Sequence, residues 1–169
     1  MVSNSKKELF KKIINLIPKE QIDNTIENNP DIWCEMSFEP SDPFIGFMDY
    51  YDAISKIIPY NYTIIDIGCA YAFQSYLFKD HKQYIGVCPN CNVKILPQNG
   101  IFYKTDANNF ITNELPKLNL KLDKVFCICS YVPLNKYDQN ILKNTFKNLF
   151  YYYPSFDNNE NNMNYYDKH

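Results

Sequence analysis

Thr63-Ile64-Ile65-Asp66-Ile67-Gly68-Cys69-Ala70-Tyr71-Ala72 is the stretch on which the reading of the fold turns. Its first five residues are a short, largely β-branched run closed by a glycine. A run of this length and composition, apolar on both faces, predicts a buried strand of a parallel sheet. After Asp66, small residues stand at every second position: Gly68, Ala70 and Ala72. Such spacing lets the backbone turn tightly and come close to a ligand. A helix expected over 72–80 would then present its first backbone N–H groups at the same place.

Working outward, the pattern repeats. Gln83–Val87 predicts a second strand and Ile101–Lys104 a third, entered through the Asn99-Gly100 turn. A short helix is expected over 107–116, a strongly apolar fourth strand over Lys124–Cys129, and a helix over 135–150, with Tyr137, Ile141, Leu142, Phe146 and Leu149 on one face. Tyr151-Tyr152-Tyr153 begins a candidate fifth strand. Alternation of strand and helix argues for an α/β fold, a mostly parallel sheet with helices on both faces. Upstream, Ser5-Lys6-Lys7-Glu8 is a capping box opening an amphipathic helix over 6–17, which Pro18 ends. A second short helix is expected over 19–28 and a third over 47–58. Residues 29–45, with three prolines around Trp33 and Phe38, read either as a packed loop or as a lid. The chain thus divides into a helical or lid segment (1–46), an α/β core (47–156) and an asparagine-rich, acidic tail (157–169) expected to be frayed.

The 169 residues fit one domain, and 46% apolar against 21% charged residues predicts a packed globule. The formal net charge is −2 and all 17 positive side chains are lysines. Bidentate recognition of phosphate or guanine normally uses arginine, so a nucleic acid partner is disfavoured. No apolar run approaches the roughly 20 residues of a membrane helix, no signal peptide is recognisable, and a cytoplasmic location is expected. The six cysteines then read as reduced thiols. Cys127 and Cys129 read as core thiols on opposite faces of their strand. Cys88-Pro89-Asn90-Cys91 is a C-x-x-C pair open to three readings: structural, redox-active, or half of a zinc site. A metal site is not expected, because no second pair and no obvious fourth ligand accompany it. His81 reads as a solvated turn residue, and no histidine-based catalytic group is foreseen.

Taken together, the strand ends resemble those of class I S-adenosylmethionine (SAM)-dependent methyltransferases over roughly residues 47–153. Asp66-Ile-Gly-Cys-Ala-Tyr-Ala is similar to that family's first motif, an acidic residue followed by alternating glycines, with Gly68 retained and Ala70 and Ala72 in the other two places. Tyr84-Ile-Gly-Val-Cys88 resembles the second motif, with Cys88 where the family has the ribose-binding carboxylate, 22 residues after Asp66. Lys104-Thr-Asp106-Ala107 resembles the acidic position that recognises the adenine amino group. Cys129-Ser130-Tyr131-Val-Pro occupies the place beside the reacting methyl group. The resemblance implies a Rossmann-like fold, truncated at its C-terminal end, with SAM as cofactor. It implies cofactor contacts from Asp66, Gly68, Ala70, Cys88, Asp106 and Ala107, and a catalytic pocket shaped by Ser130 and Tyr131. The expected activity is methyl transfer to a small-molecule or protein acceptor. The alternative is a non-catalytic protein of the same fold that acts as a binding or regulatory module, with a protein partner or a second copy of itself. Asp66 and Asp106 can equally serve as helix caps, and Tyr131 as an exposed loop aromatic.

Overall fold

The computed structural model describes residues 4–28, 43–130, 136–152 and 163–167. Its strands are β1 (Thr63–Ile67), β2 (Gln83–Val87), β3 (Gly100–Tyr103), β4 (Val125–Ser130), β5 (Asn148–Tyr152) and β6 (Met163–Asp167). They form one sheet in the order β3-β2-β1-β4-β5-β6. The first five are parallel and β6 runs antiparallel to β5 at the edge. The expected α/β architecture is therefore present, and β1 lies at the centre with strand order reversing beside it. All five β1 residues are buried, as an inner parallel strand requires.

Period-two alternation sends Ile64 and Asp66 to one face of the sheet and Ile65 and Ile67 to the other. Among the described residues the longer helices are α1 (Asn4–Ile14), α2 (Lys19–Asn28), α3 (Pro43–Ile57) and α4 (Lys136–Thr145), accompanied by shorter, less regular helical segments. The Ile64 face is covered by Tyr51 and Ile54 of α3 and by Phe78 from a 3₁₀ helix, Phe73–Phe78. The Ile65 face is covered by Leu142 of α4 and by Phe110, Ile111 and Leu115 of a helical run over 107–118. Each such side chain contributes roughly 1.5–3 kcal/mol by leaving water. A third cluster lies off the sheet, where Phe10, Ile13 and Ile17 pack on Met48, Phe73, Tyr76 and Ile95. There the Phe10 and Phe73 rings meet edge to face at 6.0 Å.

One glutamine fastens α2 to this body. Gln21 Nε2 donates to the Leu96 carbonyl at 3.0 Å, and the Leu96 N–H donates to Gln21 Oε1 at 3.0 Å. The Tyr76 hydroxyl also donates to Gln21 Oε1, at 3.1 Å.

Several expectations are corrected. The helix read over 135–150 ends at Thr145, and β5 begins at Asn148. Leu149 and Tyr151 enter one core and Phe150 the other, so Leu149 follows a strand's period of two rather than the helical stripe. The segment over 72–80 is a 3₁₀ rather than an α-helix. Part of the C-terminal segment expected to be frayed, Met163–Asp167, is β6. Cys127 and Cys129, two residues apart, share one face of the sheet. His81 is not solvated: it is 4% exposed, with Nε2 3.2 Å from the Ile58 carbonyl oxygen and its ring edge-on to Tyr60 and Phe78. Burial holds its pKa below the usual histidine value. Tyr131, Trp33 and most of the 29–45 segment lie outside the described residues. Among the described residues, no helix is long and apolar enough to cross a membrane.

Candidate functional site

A cleft of about 370 Å³ opens at the carboxyl ends of β1, β2 and β3, the side on which open α/β sheets bind ligands. Its floor is Ile67 and Gly68. Val87 and Pro89 form one wall. The segment from Thr105 to Asn108 forms another, and Tyr137 and Asp138 of α4 close it. The volume lies within the range of small-molecule and cofactor pockets.

The loop after β1 is pinned to β2 by two bonds, from the N–H groups of Gly68 and Cys69 to the Val87 carbonyl, at 2.8 and 3.2 Å. Gly68, Ala70 and Ala72 all have positive φ, 78°, 49° and 60°. This is the left-handed backbone that alternating glycines adopt without cost, achieved here by two alanines that each carry about 1–2 kcal/mol of strain. Ala72 is fully buried and opens the 3₁₀ helix, where the Ser75 N–H donates to its carbonyl at 3.0 Å.

Asp66 does not face the cleft. It is fully buried on the α3 face, where its carboxylate accepts hydrogen bonds from Tyr51 Oη at 2.9 Å, Tyr84 Oη at 2.6 Å and Gln74 Nε2 at 2.9 Å. Burial raises its pKa from 3.8 to about 6, against the lowering effect of Tyr84, Gln74 and Tyr51. Gln74 also donates to the Cys69 carbonyl at 2.9 Å, so Asp66 organises the β1 loop from behind. The room for this arrangement comes partly from Gly86, which pairs with Asp66 across the sheet. A Cβ on Gly86 would stand 3.0 Å from Cys69 Sγ.

Cys88 also turns away from the cleft. It is 7% exposed and packs with the α3-side core, its sulfur 3.0 Å from that of Cys91. Asp106, by contrast, is exposed and lines the cleft. Its Oδ1 accepts from the Asn109 N–H at 2.8 Å, which makes it the N-cap of the 107–109 turn as well. Ala107 follows it into the cleft wall. Ser130 is the last residue of β4.

Of the residues singled out from sequence, the structure thus brings Gly68, Asp106 and Ala107 together at one cleft. Asp66, Ala70 and Cys88 stand around it without lining it. Sequence reasoning missed Thr105, Asn108 and the α4 pair Tyr137 and Asp138. Tyr137 had been placed on the helix's apolar face, yet it is 65% exposed. The only readable sign was position, since α4 begins after β4 on the same side as the β1–β3 tips. The cleft carries two carboxylates, Asp106 and Asp138, and no lysine among its described lining residues. This suits a ligand rich in hydrogen-bond donors or positive charge rather than a phosphate. Among the described residues no group of three or more His, Cys, Asp or Glu could hold a metal ion. No known protein family matches the chain, and no curated protein sequence matches it either.

Proposed function

We propose that the chain binds SAM in the cleft at the β1–β3 tips and transfers its methyl group to a small-molecule or protein acceptor. The observation that carries this reading is the conjunction of Gly68, the left-handed start of the 68–72 loop, with a carboxylate, Asp106, in the lining of the same cleft. The loop offers a close backbone approach, and Asp106 offers an acceptor for an exocyclic amine. The pair of carboxylates and the lack of lysine also favour a cationic sulfonium compound with a free ammonium group. SAM supplies an electrophilic methyl, so the protein's own task is chiefly to orient the two reactants. In this reading Ser130, the last residue of β4, helps to shape the acceptor side.

The residues fit such a cofactor at the loop and the adenine end. They fit less well at the ribose, because the β2 tip presents Val87 and Pro89 where a carboxylate would grip the two hydroxyls. That departure favours a second reading, a non-catalytic SAM-binding or regulatory module of the same fold.

Calorimetric titration with SAM and S-adenosylhomocysteine tests both. Micromolar binding, weakened at least tenfold in Asp106→Asn, supports a cofactor site, since asparagine keeps the helix cap while removing the charge. Absence of binding up to millimolar ligand sinks the enzyme reading and leaves a binding or regulatory module that acts without SAM. Binding without methyl transfer to any protein or small-molecule extract selects the second.

A further inference from the structure

The C-x-x-C pair stands outside the cleft. Cys88 follows directly on β2, and Cys91 closes a turn whose two middle residues, Pro89 and Asn90, are exposed. Both sulfurs are free thiols, lie 3.0 Å apart, and share one hydrogen bond. Cys91 is half-buried, while Cys88 is nearly covered. The backbone amides of Asn90, Cys91 and Ala70 favour the anionic form of Cys88. Lys104 lies on the Cys91 side, its Nζ donating to Asn92 Oδ1 at 2.8 Å.

We propose that Cys88 and Cys91 form a reversible thiol–disulfide centre that exchanges with small-molecule disulfides. The Cys88 thiolate attacks one sulfur of the disulfide R–S–S–R. A Cys88–S–S–R bond forms, the R–S bond to the second sulfur breaks, and the departing thiolate takes a proton from water. Cys91 then loses its proton to solvent and attacks Cys88 Sγ, displacing the second thiolate. Two electrons leave the cysteine pair and reside on two R–SH molecules, and the two protons balance likewise. The Cys91 thiol and the backbone donors hold Cys88 down to about 6 against burial, so the nucleophile is ionised at neutral pH, whereas its hydrogen bond to Cys88 holds Cys91 above the usual thiol range. Of the other groups that face the pair, Cys69 raises Cys91 further and Lys104 lowers it, while the charge on Cys88 in turn raises the buried Asp66 and Cys69. Cys127 and Cys129 are buried in the opposite core and take no part.

The test uses the full chain in a Cys34→Ser background, treated with bis(2-hydroxyethyl) disulfide at neutral pH, quenched by alkylation, and read by intact mass and peptide mapping. The expected product has lost two hydrogens, carries a Cys88–Cys91 bond and returns to the dithiol on addition of 2-mercaptoethanol. Cys91→Ser should stall as a mercaptoethanol adduct on Cys88. Cys88→Ser should slow adduct formation at least tenfold. If Cys91→Ser does not fold, as judged by circular dichroism, the peptide map of the parent chain decides. An adduct confined to Cys91 with no internal bond, or equal rates for all thiols, overturns the proposal.

Discussion

Asp66 makes the folded state sensitive to pH in a direction opposite to that of most carboxylates. Salt-bridged or exposed acids lower their pKa on folding and stabilise proteins as pH rises. Asp66 goes the other way, from 3.8 to about 6, because complete burial outweighs three hydrogen bonds. Between these values the folded chain binds more protons than the unfolded chain, so stability falls as pH rises through the window and levels off above it. At 1.36 kcal/mol per unit the full shift is worth about 3 kcal/mol, of which about 2.5 kcal/mol falls between pH 4 and pH 7, because pH 4 already lies above the unfolded value. Asp66→Asn cannot titrate. Its amide keeps an acceptor for Tyr84 or Tyr51, and a tyrosine hydroxyl can turn to accept from the new NH₂ group. Urea unfolding of both proteins, at half-unit steps from pH 4 to pH 8, isolates the effect. Subtraction removes groups that titrate independently of Asp66, His81 among them. The expected difference changes by about 2.5 kcal/mol in favour of the variant as pH rises, with its steepest part near pH 5. A difference that stays flat within about 0.5 kcal/mol, or one that moves in favour of the parent at high pH, would refute the reasoning.

The β1 loop offers a second test: Ala70→Gly should stabilise the fold by up to about 1 kcal/mol, by relieving left-handed strain net of glycine's greater unfolded freedom, measured as a shift in urea midpoint. The same change at Ala72 should gain less, because its buried methyl group loses contacts. Gly86→Val should cost roughly 1–3 kcal/mol, since even its Cβ meets Cys69 Sγ at 3.0 Å; an unchanged melting temperature would show that the space is not as tight as described. Asp106→Ala should lose about 1 kcal/mol with its cap, whereas Asp106→Asn should be nearly neutral, a contrast that thermal unfolding can read.

Where the sequence was transparent, one physical signal acted alone. β1 and β2 are runs buried on both faces and bounded by turns, and their limits, Thr63–Ile67 and Gln83–Val87, agree with the structure. Lys19–Asn28 likewise forms the short helix expected there. Where two periods overlapped, the reading slipped: Leu142, Phe146 and Leu149 fit a helical stripe, and only pairing with β4 decides that Leu149 belongs to a strand. β6 (Met-Asn-Tyr-Tyr-Asp) shows no clean alternation of apolar and polar residues, because an edge strand's pairing depends strongly on its context. The site was legible as a location, the tips of the first three strands, but not as an orientation. Alternation alone says that Asp66 and Ile67 point to opposite faces. Which face holds the cleft depends on how α4 and the 107–118 run pack, and no local pattern encodes that. The same holds for Cys88, whose covered sulfur follows from the turn that brings Cys91 back to it.

The contact between Gln21 and Leu96 has a consequence for how the molecule breathes. A side-chain amide there takes the part that a neighbouring strand's backbone would take, offering one donor and one acceptor to a single residue. The Leu96 amide proton is thus shielded by a helix about 75 residues away in the chain, not by the sheet. Its exchange with deuterated solvent requires α2 to lift off, while amides in β1 exchange only when the central sheet opens. Protection at that one position therefore reports the docking free energy of the N-terminal helices, separately from the stability of the whole.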